Sequence, residues 1–167
     1  MESLSEDTLA ECGKRINKPA EYLEAVTNLH RHGIGVKATF MIGFDNDDIS
    51  VFPKMARFIN RSNFDSVYFS ILTPYPGTRL FQRLESEGRL LHKDWEKYDT
   101  AHVVFRPEKM TVEQLEEGFT WLYKRALSMK SIVLRLARAR TNPQFFLPDN
   151  LAFRSCLFKM LRGNKKI

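Results

Sequence analysis

Gly35-Val36-Lys37-Ala38-Thr39-Phe40-Met41-Ile42-Gly43-Phe44-Asp45 alternates with a period of two before it reaches a glycine and an acid. Val36, Ala38, Phe40 and Ile42 fall on one face, and Lys37, Thr39, Met41 and Gly43 on the other. That alternation predicts a strand with one apolar side. Residues 65–72 repeat it, with Val67, Phe69 and Ile71 set against Ser66, Tyr68, Ser70 and Leu72. This second strand runs into Thr73-Pro74-Tyr75-Pro76-Gly77-Thr78, a rigid turn. Between the two, Phe52, Met55, Ala56 and Ile59 recur at helical spacing. Two strands joined by such a crossover helix make a parallel βαβ unit. Folds of this class place ligands outside the carboxyl ends of their strands. The plainer reading is two half-exposed strands of an ordinary sheet.

Helical patterns surround this unit. Ser5 suits the cap of a short helix through Cys12, and Pro19 the first turn of a second. That second helix carries Tyr22, Leu23, Val26 and Leu29 and stops at Gly33. Thr78 is placed to cap a helix bearing Leu80, Phe81 and Leu84, closed at Gly88. Residues 90–107 read as irregular, with a short edge strand at His102-Val103-Val104-Phe105. Thr111 opens a helix with Leu115, Phe119, Leu122 and Ala126 in one stripe, and another runs to about Arg140. Asn142-Pro143 reads as a break, and Asp149 as the cap of a last helix.

Composition excludes several classes. A hydrophobic fraction of 43% is enough for a packed core and argues against disorder. Cys12 and Cys156 are the only cysteines, which gives neither a disulfide framework nor a zinc spacing. The first residues are acidic and polar, unlike a secretory leader, and a reducing, cytoplasmic setting follows. The charge is uneven. Eleven of the 26 basic residues lie between Lys124 and Lys166, where Asp149 is the one acid. A basic tail on a mildly acidic body marks a partner surface. Its plainer reading is a solvated face over a small helical subdomain. Its Phe145, Phe146, Phe153 and Phe158 beside the cations give a sharper one, docking on an anionic membrane surface. Nucleic acid is third, because the aromatics form no strand platform.

Asp45, Asp47 and Asp48 read as caps of the helix at Ile49, with metal or acid–base work the lesser alternative. Gly43 is a turn or a place where a cofactor meets the backbone. His30 and His32 read as helix-end residues. His92 and His102 have no partner that spacing names. No Gly-rich phosphate loop and no Ser/His/Asp order of known spacing occurs.

Several motifs together resemble the C-terminal half of a radical S-adenosylmethionine protein of the group that carries a cobalamin-binding domain. They are residues 2–9, Ile42-Gly43-Phe44-Asp45-Asn46-Asp47, Ile71 to Thr78, Gly88-Arg89-Leu90-Leu91, Trp95 to Asp99 and His102 to Pro107. The resemblance implies an α/β fold, a partial (β/α) barrel half followed by an all-helical C-terminal extension. Residues 1–88 would be the barrel part, 89–140 a post-barrel segment and helical extension, and 141–167 the basic helical tail. In that family a four-iron cluster on a Cys-x-x-x-Cys-x-x-Cys loop cleaves S-adenosylmethionine to a 5′-deoxyadenosyl radical. The reactions of the cobalamin group include methyl transfer to unactivated carbon and ring closure, some on hopanoids and tetrapyrroles.

The resemblance places Glu2 and Ser3 at the end of the fourth strand, near the ribose and methionine part of the cofactor. It sets Met41 and Gly43 on the fifth strand beside the adenine. Leu72, Thr73 and Pro74 end the sixth, where backbone groups meet the adenine edge. The cysteine loop is absent from the sequence. The expectation is therefore an enzyme fragment that is inactive alone. S-adenosylmethionine, a 4Fe-4S cluster and cobalamin are implied for the complete enzyme, and none is expected to be retained by this chain. Its partner would be the missing N-terminal barrel half, or a second copy through an exposed strand edge. The competing class is a non-enzymatic interaction module.

Overall fold

The computed structural model describes residues 3–5, 8, 9, 13, 18–139, 141 and 143–163. Strands β1 (Lys37–Ile42) and β2 (Ser66–Ile71) pair in parallel, from Lys37 opposite Ser66 to Ile42 opposite Ile71. The alternation in sequence is what positions them. Ala38, Phe40, Ile42, Val67, Phe69 and Ile71 are all buried, whereas Lys37 and Thr39 are exposed. Helix α1 (Tyr22–Arg31) follows a 3-10 turn at Pro19–Glu21, and α2 (Val51–Ser62) is the crossover between the strands. The Phe40 ring lies 6.1 Å from Phe58 of α2 and 5.9 Å from Phe64. Helix α3 (Arg79–Ser86) starts where Phe81 N–H donates to the Thr78 hydroxyl.

Helices α4 (Val112–Ala126), α5 (Met129–Ala139) and α6 (Pro143–Gly163) complete the chain. Thr111 and Gln114 form a reciprocal capping box at the start of α4. The sheet of the described residues has two strands. The architecture is thus one βαβ unit with a mostly helical C-terminal part, and the barrel half expected from sequence is not seen as such. The expected edge strand at 102–105 reduces to a single antiparallel bridge between Phe105 and Leu90. Thr100 turns left-handed just before it, and Pro107 lacks an N–H just after.

The two edges of the sheet differ. Ser66 N–H donates to Val36 C=O and Leu72 N–H to Ile42 C=O, which fixes the phase of the ladder. Phe69 and Ile71 therefore turn their main-chain groups away from β1. There the Tyr123 hydroxyl accepts from Phe69 N–H at 3.0 Å and donates to Phe69 C=O at 2.7 Å. Ile71 N–H donates to Thr100 C=O at 2.7 Å. The same phase turns the main-chain groups of Lys37, Thr39 and Met41 away from β2. Among the described residues no strand pairs with that side.

The last helix departs from the sequence reading. Asn142 lies outside the described residues. Helix α6 runs unbroken through Pro148, with Pro143 as its first residue, so Asp149 caps nothing. A helix-interior proline costs about 3 kcal/mol, and tertiary contacts override it. Asn150 is fully buried; it accepts from Arg135 and donates to Asp65 C=O and Phe146 C=O. Phe146 fills the space where a Cβ on Gly35 would lie. Asp149 turns inward and takes hydrogen bonds from Lys37 at 3.1 Å and Ser66 at 2.8 Å.

Arg135 is 1% exposed and also donates to Phe64 C=O and Ala126 C=O. Burial lowers its pKa to about 10, against the opposing pull of the Asp65 charge, so it remains a cation at neutral pH. Asp65 is itself fully buried and accepts from Val36 N–H, His30 and Thr141. These groups sit at the amino ends of both strands, where barrel folds place stability and not chemistry. Asn150→Ala strips a hydrogen bond from Arg135 and another from Asp65 C=O. Urea unfolding is expected to lose about 1–3 kcal/mol. An unchanged midpoint would show that α6 is an appendage to the core.

Candidate functional site

The carboxyl ends of β1 and β2 lie side by side, because Leu72 N–H continues the ladder to Ile42 C=O. This brings together Met41, Gly43, Leu72, Thr73 and Pro74. Met41 is half-buried opposite Ser70. Leu72, Thr73 and Pro74 are buried, and the Thr73 hydroxyl donates to Ile71 C=O. Glu2 lies outside the described residues. Ser3 is buried and lines a small cavity of about 270 Å³ with Asn46, Asp47, Asp48 and Lys54.

Gly43 has φ +103°, a conformation that favours glycine, and a Cβ there would stand 3.1 Å from Leu115. Its N–H and that of Phe44 both donate to the Asp47 carboxylate. Burial pushes the Asp47 carboxyl up, and those two amides pull against it. The three acids thus have separate duties. Asp47 braces the turn that ends β1. Asp48 accepts from Ser50 N–H, ahead of a helix that begins at Val51 and not at Ile49. Asp45 binds Arg83 at 2.7 Å and Arg89 at 2.6 Å. Arg89 also donates to Arg106 C=O and Glu87, and so ties α3 and the 105–106 segment to the end of β1. No sequence signal points to the two arginines, since 38 and 44 residues separate them from their partner.

The histidines are placed individually. His30 meets Asp65 at 2.9 Å and His32 meets Asn28 C=O at 2.8 Å. The His92 ring accepts from Asp94 N–H, and the His102 Nδ1 lies 3.0 Å from both Asp99 oxygens. Among the described residues no group of three or more His, Cys, Asp or Glu is arranged to hold a metal. No described helix is long and apolar enough to cross a membrane.

Comparison with known proteins supplies the rest. Residues 78–146 match the family model described as a domain of unknown function, DUF4070. Bacteriochlorophyllide d C-12(1)-methyltransferase of Chlorobaculum tepidum is 36% identical over 87% of this chain and 32% of its own length. Bacteriochlorophyllide d C-8(2)-methyltransferase of the same organism is 24% identical over 98% of this chain and 36% of its own. The anaerobic magnesium-protoporphyrin IX monomethyl ester cyclase of Cereibacter sphaeroides is 28% identical over 68% of this chain and 18% of its own. The chain matches the C-terminal parts of B12-binding radical S-adenosylmethionine methyltransferases and cyclases. It spans about a third or less of the length of these relatives.

The donor set of this chain does not fit the family's iron-sulfur cluster. Such a cluster needs several thiolates. Of the two cysteines, Cys156 is exposed on α6 and Cys12 lies outside the described residues. The residues at the strand ends are held by their own neighbours, above all through Asp45 and Asp47.

The Asp45 pairing has a pH signature. Burial would raise this carboxyl, but Arg89 and Arg83 outweigh it and hold it below the usual range. A carboxyl lowered in the fold adds stability that is complete above its unfolded pKa, about 4. That stability is lost as pH falls through the lowered folded value. Asp45→Asn is expected to cost about 1–2 kcal/mol at neutral pH and to flatten the acid limb of a melting-temperature profile. An unaltered acid limb would remove Asp45 from this role.

Proposed function

We propose that this chain is the C-terminal part of a cobalamin-type radical S-adenosylmethionine enzyme, one that carries out radical methyl transfer or ring closure, and that it is inactive alone. The observation that carries the reading is the asymmetry of the sheet. One edge of β2 is sealed by Tyr123 and Thr100, while β1 presents an unpaired edge among the described residues. A parallel pair is a poor place for a sheet to stop, and an open edge is a template for another strand. In this reading β1 takes the preceding barrel strand. The strand-end residues Met41, Gly43 and Leu72 to Pro74 then complete one wall of an S-adenosylmethionine site. The cluster and the cobalamin come with the remainder of the enzyme.

A chimera tests it. The first two thirds of the Chlorobaculum C-12(1)-methyltransferase would be joined to this chain in place of its own matching segment. After anaerobic reconstitution, and with dithionite as the reductant, the chimera should cleave S-adenosylmethionine to 5′-deoxyadenosine and methionine, and the 167-residue chain alone should not. A folded, cluster-loaded chimera without cleavage, or cleavage by the chain alone, would overturn the reading.

A further inference from the structure

Helix α6 turns only one of its sides toward the sheet. Phe146, Asn150, Phe153 and Leu157 recur at helical spacing on that side. Phe146 lies against Gly35, Asn150 is fully buried, and Phe153 and Leu157 line a cavity of about 490 Å³ beside β2. Leu147, Leu151 and Phe158 stack on another side, at spacings of four and seven, and are 36% to 38% exposed. We propose that this outer face of α6, with the adjoining end of α5, docks the chain on an anionic membrane surface. The inference stands on this geometry and not on the enzyme reading above.

The four phenylalanines of the basic tail divide between the two sides. Phe146 and Phe153 turn inward, whereas Phe145 and Phe158 stay outside, Phe145 with 68% of its surface exposed. The Arg154 guanidinium lies 4.7 Å from the centre of the Phe158 ring and donates to Leu127 C=O at 2.7 Å. That bond ties the outer stripe of α6 to the amino end of α5. There Met129 and Val133, four residues apart on one side of α5, are half-exposed. Arg138, on the opposite side of α5, reaches Asn60 C=O of α2. Met129 and Val133 therefore face away from α2. Two neighbouring helices thus carry apolar stripes on their outer sides.

The charge that accompanies these stripes has one sign. Lys130 is exposed three residues before Val133 and Lys159 directly after Phe158, and the sequence continues with Arg162, Lys165 and Lys166. Asp149 is the one acid after Lys124, and it faces the sheet, where it accepts from Lys37 and Ser66. Glu116 of α4 lies across the cavity, on the side of α6 that carries Phe153. An apolar stripe flanked by cations suits the boundary between acyl chains and anionic headgroups. The long stems of lysine and arginine let the charge stay with the phosphates while the leucines sink below them. A polynucleotide would meet the cations and leave the leucines and Phe158 in water, so the chemistry favours lipid. No described helix is long and apolar enough to cross a membrane, and α6 would lie in the plane of the surface.

Vesicle co-sedimentation of the 167-residue chain is the test. Vesicles of equal parts phosphatidylglycerol and phosphatidylcholine should carry the chain down at low salt, and pure phosphatidylcholine should not. High salt should weaken the anionic binding by about 10-fold or more. Lys159→Glu should weaken it by about 10-fold. The charge-neutral pair Leu147→Ser and Leu151→Ser should do the same by removing the apolar part. Arg79→Glu, an equal charge change at the start of α3, should leave binding within about 2-fold, because it lies outside the docking face. Melting curves confirm that each variant is folded. A chain that stays in solution with anionic vesicles at low salt would overturn the surface. So would binding that survives the two serine substitutions, since that is charge adsorption alone, or binding that Arg79→Glu weakens as much as Lys159→Glu. Binding to a single-stranded polynucleotide without binding to vesicles would overturn it too and assign the cations to nucleic acid.

Discussion

A pair of parallel strands has no stability of its own, so this structure depends on what ends the sheet. On one side the answer is the Tyr123 side chain, with the Thr100 main chain beside it at Ile71. The Tyr123 hydroxyl makes the two hydrogen bonds to Phe69 that a neighbouring strand would have made. Burial raises the pKa of that phenol, and the Phe69 main-chain bond only partly offsets the rise. The hydroxyl therefore stays protonated and keeps both its donor and its acceptor. This contact also docks α4 on β2, next to Phe119 and the loop that carries Thr100 and His102.

The amino ends of the strands are held differently. Arg135 and Asp65 are both buried, and Asn150 sits between the guanidinium and the Asp65 main chain. A buried charge is tolerable only when paired and hydrogen-bonded. That requirement fixes α5 and α6 relative to β2. It also explains why α6 continues through Pro148. One end of the unit is thus closed by a buried cation, a buried carboxylate and an amide, whereas at the other the turns at Gly43 and Leu72 to Pro74 are braced by Asp47 and by the pairing of Asp45 with Arg83 and Arg89. The division matches that of α/β enzymes, in which chemistry gathers at the carboxyl ends.

Much of this was legible in the sequence because local signals and global packing agree. The period of two in 36–43 and 65–72, the Thr78 and Thr111 caps and the stripes of α2 and α4 all fall where they are read. The failures have physical causes. Asn142-Pro143 and Pro148-Asp149 look like a stop and a cap, but Asn150 and Phe146 bury themselves against β2 and Gly35 and keep the helix intact. Asp45, Asp47 and Asp48 look alike in sequence, yet two distant arginines and two nearby amides set their duties apart. His102 had no partner by spacing, although Asp99 is three residues away, because the left-handed Thr100 that turns one toward the other leaves no mark on composition. The expectation of cofactor-binding residues came from resemblance, and the fold only sets Met41, Gly43 and Leu72 to Pro74 side by side.

The central claim is that the sheet is sealed at β2 and continues beyond β1. Amide hydrogen exchange on the intact chain, resolved residue by residue, tests this most directly. The N–H groups of Phe69 and Ile71, which donate to Tyr123 and Thr100, should exchange slowly. Those of Thr39 and Met41, on the outer side of β1, should exchange much faster, while those of Phe40 and Ile42, which face β2, stay protected. Equal, strong protection of Thr39 and Met41 in the monomeric chain would contradict the account, because it would mean that β1 already has its neighbour.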